Sequence, residues 1–369
     1  MTHASTLDEL RAFLDTEVAS FRVEYGNRRD FEAGRAWQRR LDGGGWVGLN
    51  WPTEHGGRAL GLATQVACEN AIGESGAPQI AGFIGVNTVA SAIMQWGTAD
   101  QKRLLPAIRS AEQIFCQGFS EPGAGSDLAS LRTRATPTAE GFVLSGQKVW
   151  TSHAADADQC LVLARTTPLE TGNRSHRGLS LFLVPLGLDG VTVAPIRQLN
   201  GDLEFSEVFF DDVTLPESAL LGPLNDGWRA AMSALAHERA ASMLLAMRTR
   251  ATVRNTFGGR IIAIPASRRD DVLRLYVESE VLGLLAERSI AEIGAGTVGP
   301  AQSVVKLAWS QVDQRYAEVV FDLHGNAAAA GAAPETANAL LFSRSSTIAA
   351  GTTEVMRNIL SEQVLGLPR

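Results

Sequence analysis

Gly118-Phe-Ser-Glu-Pro-Gly-Ala-Gly-Ser-Asp-Leu-Ala-Ser130 contains three glycines and a proline in thirteen residues. That composition can continue neither a helix nor a central strand, so it forms a tight loop whose backbone can approach a ligand closely. Before the loop, apolar residues recur at helical spacing. After it they come in short runs separated by turns, so the loop marks the border between a helical block and a β block.

On the N-terminal side, Leu7, Leu10, Leu14 and Val18 mark one buried helical stripe. Breaks follow at Gly43-Gly44-Gly45 and at Trp51 to Gly57, and further helices are predicted over 62–74 and 87–95, with Thr98 as the N-cap of the next. On the C-terminal side, Phe142-Val143-Leu144, Cys160 to Ala164, Leu179 to Val184 and Val208-Phe209-Phe210 are short strands. Turns such as Asp189-Gly190 and Asn200-Gly201-Asp202 separate them, and Asp211-Asp212 reads as a solvated strand end. Such short spacing leaves no room for crossover helices, which predicts an antiparallel barrel or sandwich. From Asp226 the helical period returns, with Asn225 as the expected cap and Gly258-Gly259 closing a long helix. Gly294 to Pro300 interrupts this last block, and the alanine-rich Ala327 to Ala333 reads as a loop. The expected fold is α+β and multidomain: a helical domain over 1–115, a β-domain over 116–224 and a helical bundle over 225–369.

At 369 residues the chain can bury a large core. Its 33 basic and 40 acidic residues leave a net charge of −7, and no Lys/Arg run is dense enough to point to nucleic acid. Cys68, Cys116 and Cys160 are odd in number and outside any Cys-x-x-Cys pattern, which reads as reduced packing thiols. No signal-peptide core and no run of 18 apolar residues occurs, so the expectation is a cytoplasmic protein without a membrane span. No metal-ligand set is assigned.

Three motifs in order, Ser120 to Asp127, Gly146-Gln-Lys-Val-Trp-Thr-Ser152 and Ile348-Ala-Ala-Gly-Thr-Thr-Glu354, resemble the acyl-CoA dehydrogenase family, and the resemblance covers essentially the whole chain. It implies N-terminal helices, a middle β-domain and a C-terminal four-helix bundle. It also implies FAD as cofactor, an acyl-CoA substrate and an electron-transfer flavoprotein as acceptor. The chemistry agrees with that cofactor. Removing hydrogens from adjacent carbons beside a thioester needs a base, a polarised carbonyl and a hydride acceptor, and no side chain is a hydride acceptor.

Many family members carry the base as a Glu just before the Gly-Thr of the C-terminal motif, where this chain has Ala350. A branch typified by isovaleryl-CoA dehydrogenase carries it on an earlier helix before an Arg, and Ala236-His237-Glu238-Arg239 resembles that arrangement. Glu238 is therefore the candidate base, with Arg239 supporting the substrate site. On a helix Glu238 faces mostly apolar neighbours, which would raise its pKa. The alternative is a structural ion pair with Arg239 or another cation. His237, a neighbour pointing about 100° away, reads as packing. The resemblance implies that the Ala350 backbone N–H holds the thioester oxygen, since Ala supplies an amide as well as Glu does.

For FAD, the resemblance implies contacts from Gln117, Phe119, Ser120 and Gly125, from Trp150, Thr151 and Ser152, and from Thr352 and Glu354 near the nucleotide end. It places Ser126 near the CoA ester. From the residues alone, Trp150 could equally be a core aromatic in a strand, and Glu354 a stabiliser of the last helix. Arg254-Asn-Thr-Phe257-Gly258 keeps a segment that family members use for a neighbouring subunit's adenine, giving Arg254 and Phe257 as candidates. The companion Gln-x-x-Gly-Gly segment is changed, with Phe321 for Gln and His324 for Gly. That change raises an α₂β₂ heterotetramer with a paralogous subunit as an alternative to a homotetramer, with bulky or steroid side-chain CoA esters as substrates. Two rival readings are a flavin oxidase or monooxygenase on the same fold and a non-catalytic subunit.

Overall fold

The computed structural model describes residues 3–168, 176–259, 264–295 and 301–368, with the side chains of residues 3, 235–241, 301 and 302 outside that description. The chain forms two compact units, residues 1–60 with 74–237, and residues 61–73 with 238–369.

The early helices are α1 (His3–Tyr25), α2 (Phe31–Gly43), α3 (Leu62–Glu74), α4 (Ala90–Trp96), α5 (Ala99–Lys102) and α6 (Leu105–Arg109). The expected stripe on α1 is buried at Leu10, Leu14 and Val18, and it continues to Phe21, whose ring meets Trp37 of α2 edge-on at 5.4 Å. Thr98 caps α5 as expected, in a reciprocal capping box with Gln101. The Gln101 side chain then donates to the carbonyls of Ser218 and Leu220, tying this helix to the strand region. The helix expected over 87–95 begins a turn earlier, as a wide turn over Gly85–Val89. A Cβ at Gly85 would stand only 3.3 Å from Ile108, so the small residue permits the close approach.

The strands are β1 (Phe115–Gly118), β2 (Arg134–Thr138), β3 (Gly141–Ser152), β4 (Gln159–Arg165), β5 (Leu179–Pro185), β6 (Val191–Pro195), β7 (Phe205–Pro216) and β8 (Leu220–Leu221). They form one sheet in the order β6-β7-β3-β2-β4-β5-β8, with β1 also on β4. Most pairs are antiparallel, but β1 and β2 both run parallel to β4. The reason is the Gly-rich loop: it returns the chain to the end where β1 began, so no crossover helix is needed. Cys116 lies opposite Cys160 in the core, and both thiols are free and buried, as expected. Burial pushes the Cys116 thiol well above its ordinary pKa.

The long pair β3 and β7 slips register twice, between Leu144 and Gly146 and between Lys148 and Thr151. At the first slip Asp211 and Asp212 lie inside β7, not at a solvated strand end. Asp212 is left-handed (φ 47°) and accepts a hydrogen bond from the Ser145 hydroxyl at 2.6 Å, so the acidic pair builds a β-bulge.

The later helices are α7 (Gly227–Phe257), α8 (Arg269–Gly294), α9 (Ala301–His324), α10 (Asn326–Ala329), α11 (Pro334–Ser343) and α12 (Thr353–Ile359). Asn225 does not cap α7. It is left-handed (φ 65°), and its side-chain oxygen instead accepts from the hydroxyls of Thr166 and Thr167, while the helix starts at Gly227. The alanine-rich stretch is not simply a loop, since its first part forms α10 and Ala332 N then bonds back to Ala327 O at 2.8 Å. Alanine's helix propensity accounts for the difference. In the bundle, Met243, Val253 and Phe257 of α7 share a core with Val272, Leu275 and Leu282 of α8 and with Val305 and Val312 of α9.

Candidate functional site

Two structures stand where the three motifs fall. The first, in the unit built on the sheet, is the loop between β1 and β2. Its hub is Glu121, whose carboxylate accepts from the amides of Arg132 (2.7 Å) and Thr133 (2.8 Å) and from Lys148 Nζ (2.8 Å). The Lys148 ammonium is fully buried and also donates to Phe119 O at 3.0 Å. Arg165 completes the frame by donating to Ala129 O at 2.7 Å and Leu131 O at 3.3 Å. Burial pushes the Lys148 ammonium below its ordinary pKa, and Glu121 offsets only part of that. Burial opposes ionisation of Glu121 as well, but Lys148 and the Thr133 and Arg132 amides outweigh it and hold the carboxyl below the usual range. A charged, hydrogen-bonded frame thus fixes a loop that glycine and proline would otherwise leave loose.

On this frame Val149 N donates to Ser120 O at 2.9 Å, which brings the first two motifs together. The second bulge of β3 puts Trp150 in the left-handed region (φ 58°), and its indole is 59 % exposed, edge-on to Phe205. Trp150 is therefore not a core aromatic. Ser120 and Ser152 are half-buried and Gly125 and Ser126 exposed, while Gln117 is half-buried in β1 and Phe119 is buried beside it. Thr151 is fully buried, and its hydroxyl has no partner among the described residues. Of the triplet, Trp150 and Ser152 have accessible side chains. A Cβ at Gly123 or Gly125 would meet nothing within 4 Å, so the loop presents bare backbone to open space beside an exposed indole. That combination fits a flat aromatic cofactor with polar edges, as FAD is.

The second structure, in the unit built on the bundle, is the turn between α11 and α12. Ala350 (φ 53°) and Gly351 (φ 96°) are both left-handed, and Thr352 then caps α12 by accepting from Val355 N at 3.2 Å. Helix α9 holds this turn from below. Lys306 Nζ donates to Gly351 O at 2.6 Å and Ser346 O at 3.2 Å, Asp313 accepts from the Ser346 hydroxyl at 2.6 Å, and Gln314 donates to Ser343 O and Thr347 Oγ1. Lys306 is buried and has its pKa lowered by that burial, and burial raises Asp313. Ala350 itself is exposed, as is Glu354 in the first turn of α12. The buried Thr353 hydroxyl has no partner among the described residues.

The other expected residues fall elsewhere. The backbone of Glu238 and Arg239 lies in α7, but their side chains lie outside the described residues, as does that of His237. Arg254 is paired with Glu280 of α8, and Phe257 packs edge-on against Tyr316 in the bundle core. His324 Nδ1 lies 2.9 Å from Val320 O at the end of α9. Sequence reasoning did not assign roles to Glu121, Lys148, Arg165 and Lys306. For Lys306 a signal existed, a single cation inside the apolar helical run Val304-Val305-Lys306-Leu307-Ala308-Trp309.

Comparison with known proteins covers nearly the whole chain. Residues 2–112 match the N-terminal, 116–213 the middle and 225–365 the C-terminal domain models of acyl-CoA dehydrogenase. The chain is 38 % identical over 354 residues to the acyl-CoA dehydrogenase IpdE1 of Mycolicibacterium smegmatis, covering 92 % of this chain and 89 % of that protein. Among solved structures, a Tcur3481-Tcur3483 steroid ACAD variant superposes with a TM-score of 0.86 at 28 % identity, covering 99 % of this chain and 100 % of that one. The ChsE4-ChsE5 complex from Mycobacterium tuberculosis superposes with a TM-score of 0.80 at 29 % identity, covering 98 % and 97 %.

Proposed function

The chain belongs to the acyl-CoA dehydrogenase family, an oxidoreductase family, and on that premise we propose that it removes hydrogens from the α and β carbons of an acyl-CoA thioester to leave a 2-enoyl-CoA. Bound FAD would supply the hydride acceptor that no side chain provides. Gln117, Phe119, Ser120, Gly125, Trp150, Thr151 and Ser152 would hold its ring system, Thr352 and Glu354 its nucleotide end, and Arg254 and Phe257 the adenine of a neighbouring subunit.

The residues of the chain carry the proton chemistry. Glu238 takes the α-proton. Its support is the sequence of α7, where the helical neighbours of position 238 at spacings of three, four and seven are, but for Ser242, alanine and leucine, a setting that suits a carboxylate acting as base. The Ala350 amide donates to the thioester oxygen, where negative charge gathers as the proton leaves. Arg239 supports the substrate, and Ser126 lies toward the CoA ester. The observation that carries the reading is the Ala350-Gly351 turn: alanine stands where the resemblance implies a glutamate base in many family members, and the backbone there is left-handed and fixed by a buried lysine.

Electrons pass to an electron-transfer flavoprotein, and the protein works in the cytoplasm. The substrate is a bulky or steroid side-chain ester and the assembly an α₂β₂ heterotetramer with a paralogous subunit; in support, one similar structure is titled a steroid ACAD and another a complex of two differently named proteins. Exposed Leu273, Val277, Val281 and Leu284 make one apolar stripe along α8, a face suited to a partner subunit.

The test is Glu238→Gln. Anaerobic mixing of the holoenzyme with a thioester substrate should bleach the visible absorbance of wild-type cofactor, and the variant should do so about 100-fold more slowly or worse. Unchanged bleaching would remove Glu238 from the mechanism.

A further inference from the structure

Three buried or half-buried polar side chains in the bundle-based unit take no part in the chemistry above. Gln65 and Glu69 lie one turn apart on α3, and Gln65 Nε2 donates to Glu69 Oε1 at 2.9 Å. Arg248 of α7 donates through Nη2 to the main-chain oxygen of Glu69 at 3.1 Å, while its buried Nε has no partner among the described residues. The guanidinium therefore bonds the backbone beside the carboxyl instead of closing a fork on it. Gly73 leaves the room it needs, since a Cβ there would come within 3.0 Å of Nε. Burial pushes the Glu69 carboxyl up, against the pull of Gln65 and Arg248, and pushes Arg248 down. An apolar acyl tail would give these groups nothing and leave them desolvated.

We propose that Gln65, Glu69 and Arg248 form a subsite for an oxygen-bearing group, a hydroxyl or ketone, carried by the acyl portion far from the thioester. The inference rests on Glu238 as base, because α7 links the two points. Ten residues separate positions 238 and 248, about 15 Å of helix, and turn them to within about 80° of each other. Helical side chains lean toward the N-terminus, which shortens the span between an arginine side chain at 248 and position 238. One or two rings span what remains. A ketone accepts from Nε, and a hydroxyl accepts from Nε while donating to the Glu69 carboxyl.

The test compares 3-cyclohexylpropanoyl-CoA with its 4-oxo and 4-hydroxy analogues on the holoenzyme. The wild type should favour the oxygenated thioesters by about tenfold or more in kcat/KM, mainly through KM. Arg248→Met should bring that ratio close to one, and Glu69→Gln, the variant to use if Arg248→Met does not fold, should lower it for the hydroxy thioester. A wild type without preference, or an Arg248→Met protein that keeps it, overturns the subsite. If none of the thioesters bleaches the wild-type cofactor, the dehydrogenase reading fails instead. Dissociation constants from the cofactor's spectral shift on binding then still report whether the oxygenated thioesters are preferred.

Discussion

At Lys148 a fully buried ammonium is balanced by one carboxylate, Glu121, reached across 27 residues of chain. Removing one member of such a pair strands the other, which costs about 3–5 kcal/mol. Glu121→Gln should therefore lower the melting temperature sharply and loosen FAD, both measurable on purified protein by calorimetry and by cofactor release. The pH dependence follows from the same pair. Glu121 is held below the ordinary carboxylate range, so its contribution is present above that range and is lost as pH falls through the folded value. Lys148 is held below its ordinary pKa, so the folded state resists its protonation, and stability rises with pH between the folded value and the ordinary lysine range. Wild-type melting temperature should thus fall on acidification with a component that Glu121→Gln lacks, and equal slopes would refute this. Both residues sit within motifs legible in the sequence, but their pairing is not, because nothing local joins positions so far apart. The exposure of Trp150 was equally hidden, since a bulge sets it and a bulge depends on the partner strand.

Among the elements, the turn at Ala350-Gly351 depends on backbone conformation and on α9. Gly351→Ala puts a side chain at φ 96° with its Cβ 2.5 Å from Met356 Cε. The methionine end can move, so the main cost is the left-handed backbone, about 1–2 kcal/mol. The variant should show a modest loss of stability and a larger loss of kcat/KM. Lys306→Met should do the same by freeing two carbonyls, at about 1–3 kcal/mol for each left unpaired. Full activity in both would mean that the turn does not position the thioester. Helices and strands themselves were readable wherever an apolar period persisted, as in α1 and β5. The misreadings fell where tertiary partners decide. Asn225 has the side chain of a cap but is claimed by Thr166 and Thr167, and Asp211-Asp212 looks like a strand end until β3 supplies the opposite side of the bulge.

For the whole molecule, the apolar stripe on α8 and the changed Phe321 and His324 positions bear on assembly. On the proposed mixed assembly, the chain expressed alone should be poor in cofactor and should gain it when produced with a paralogous subunit, as read by the FAD-to-chain ratio and by light scattering. A stable tetramer of this chain alone with one FAD per chain would refute the mixed assembly. The family was legible because its motifs are local strings. A partner subunit would not be, because its residues would belong to another chain. The division of the chain into residues 1–60 with 74–237 and 61–73 with 238–369 also bears on biogenesis. Helix α3 leaves the ribosome early but belongs with helices made last, so its apolar face must wait, uncovered, through the synthesis of residues 74–237, nearly half the polypeptide. Closing so long a span makes maturation of the second unit slow by nature, and the interval before it is when the nascent protein most needs a chaperone.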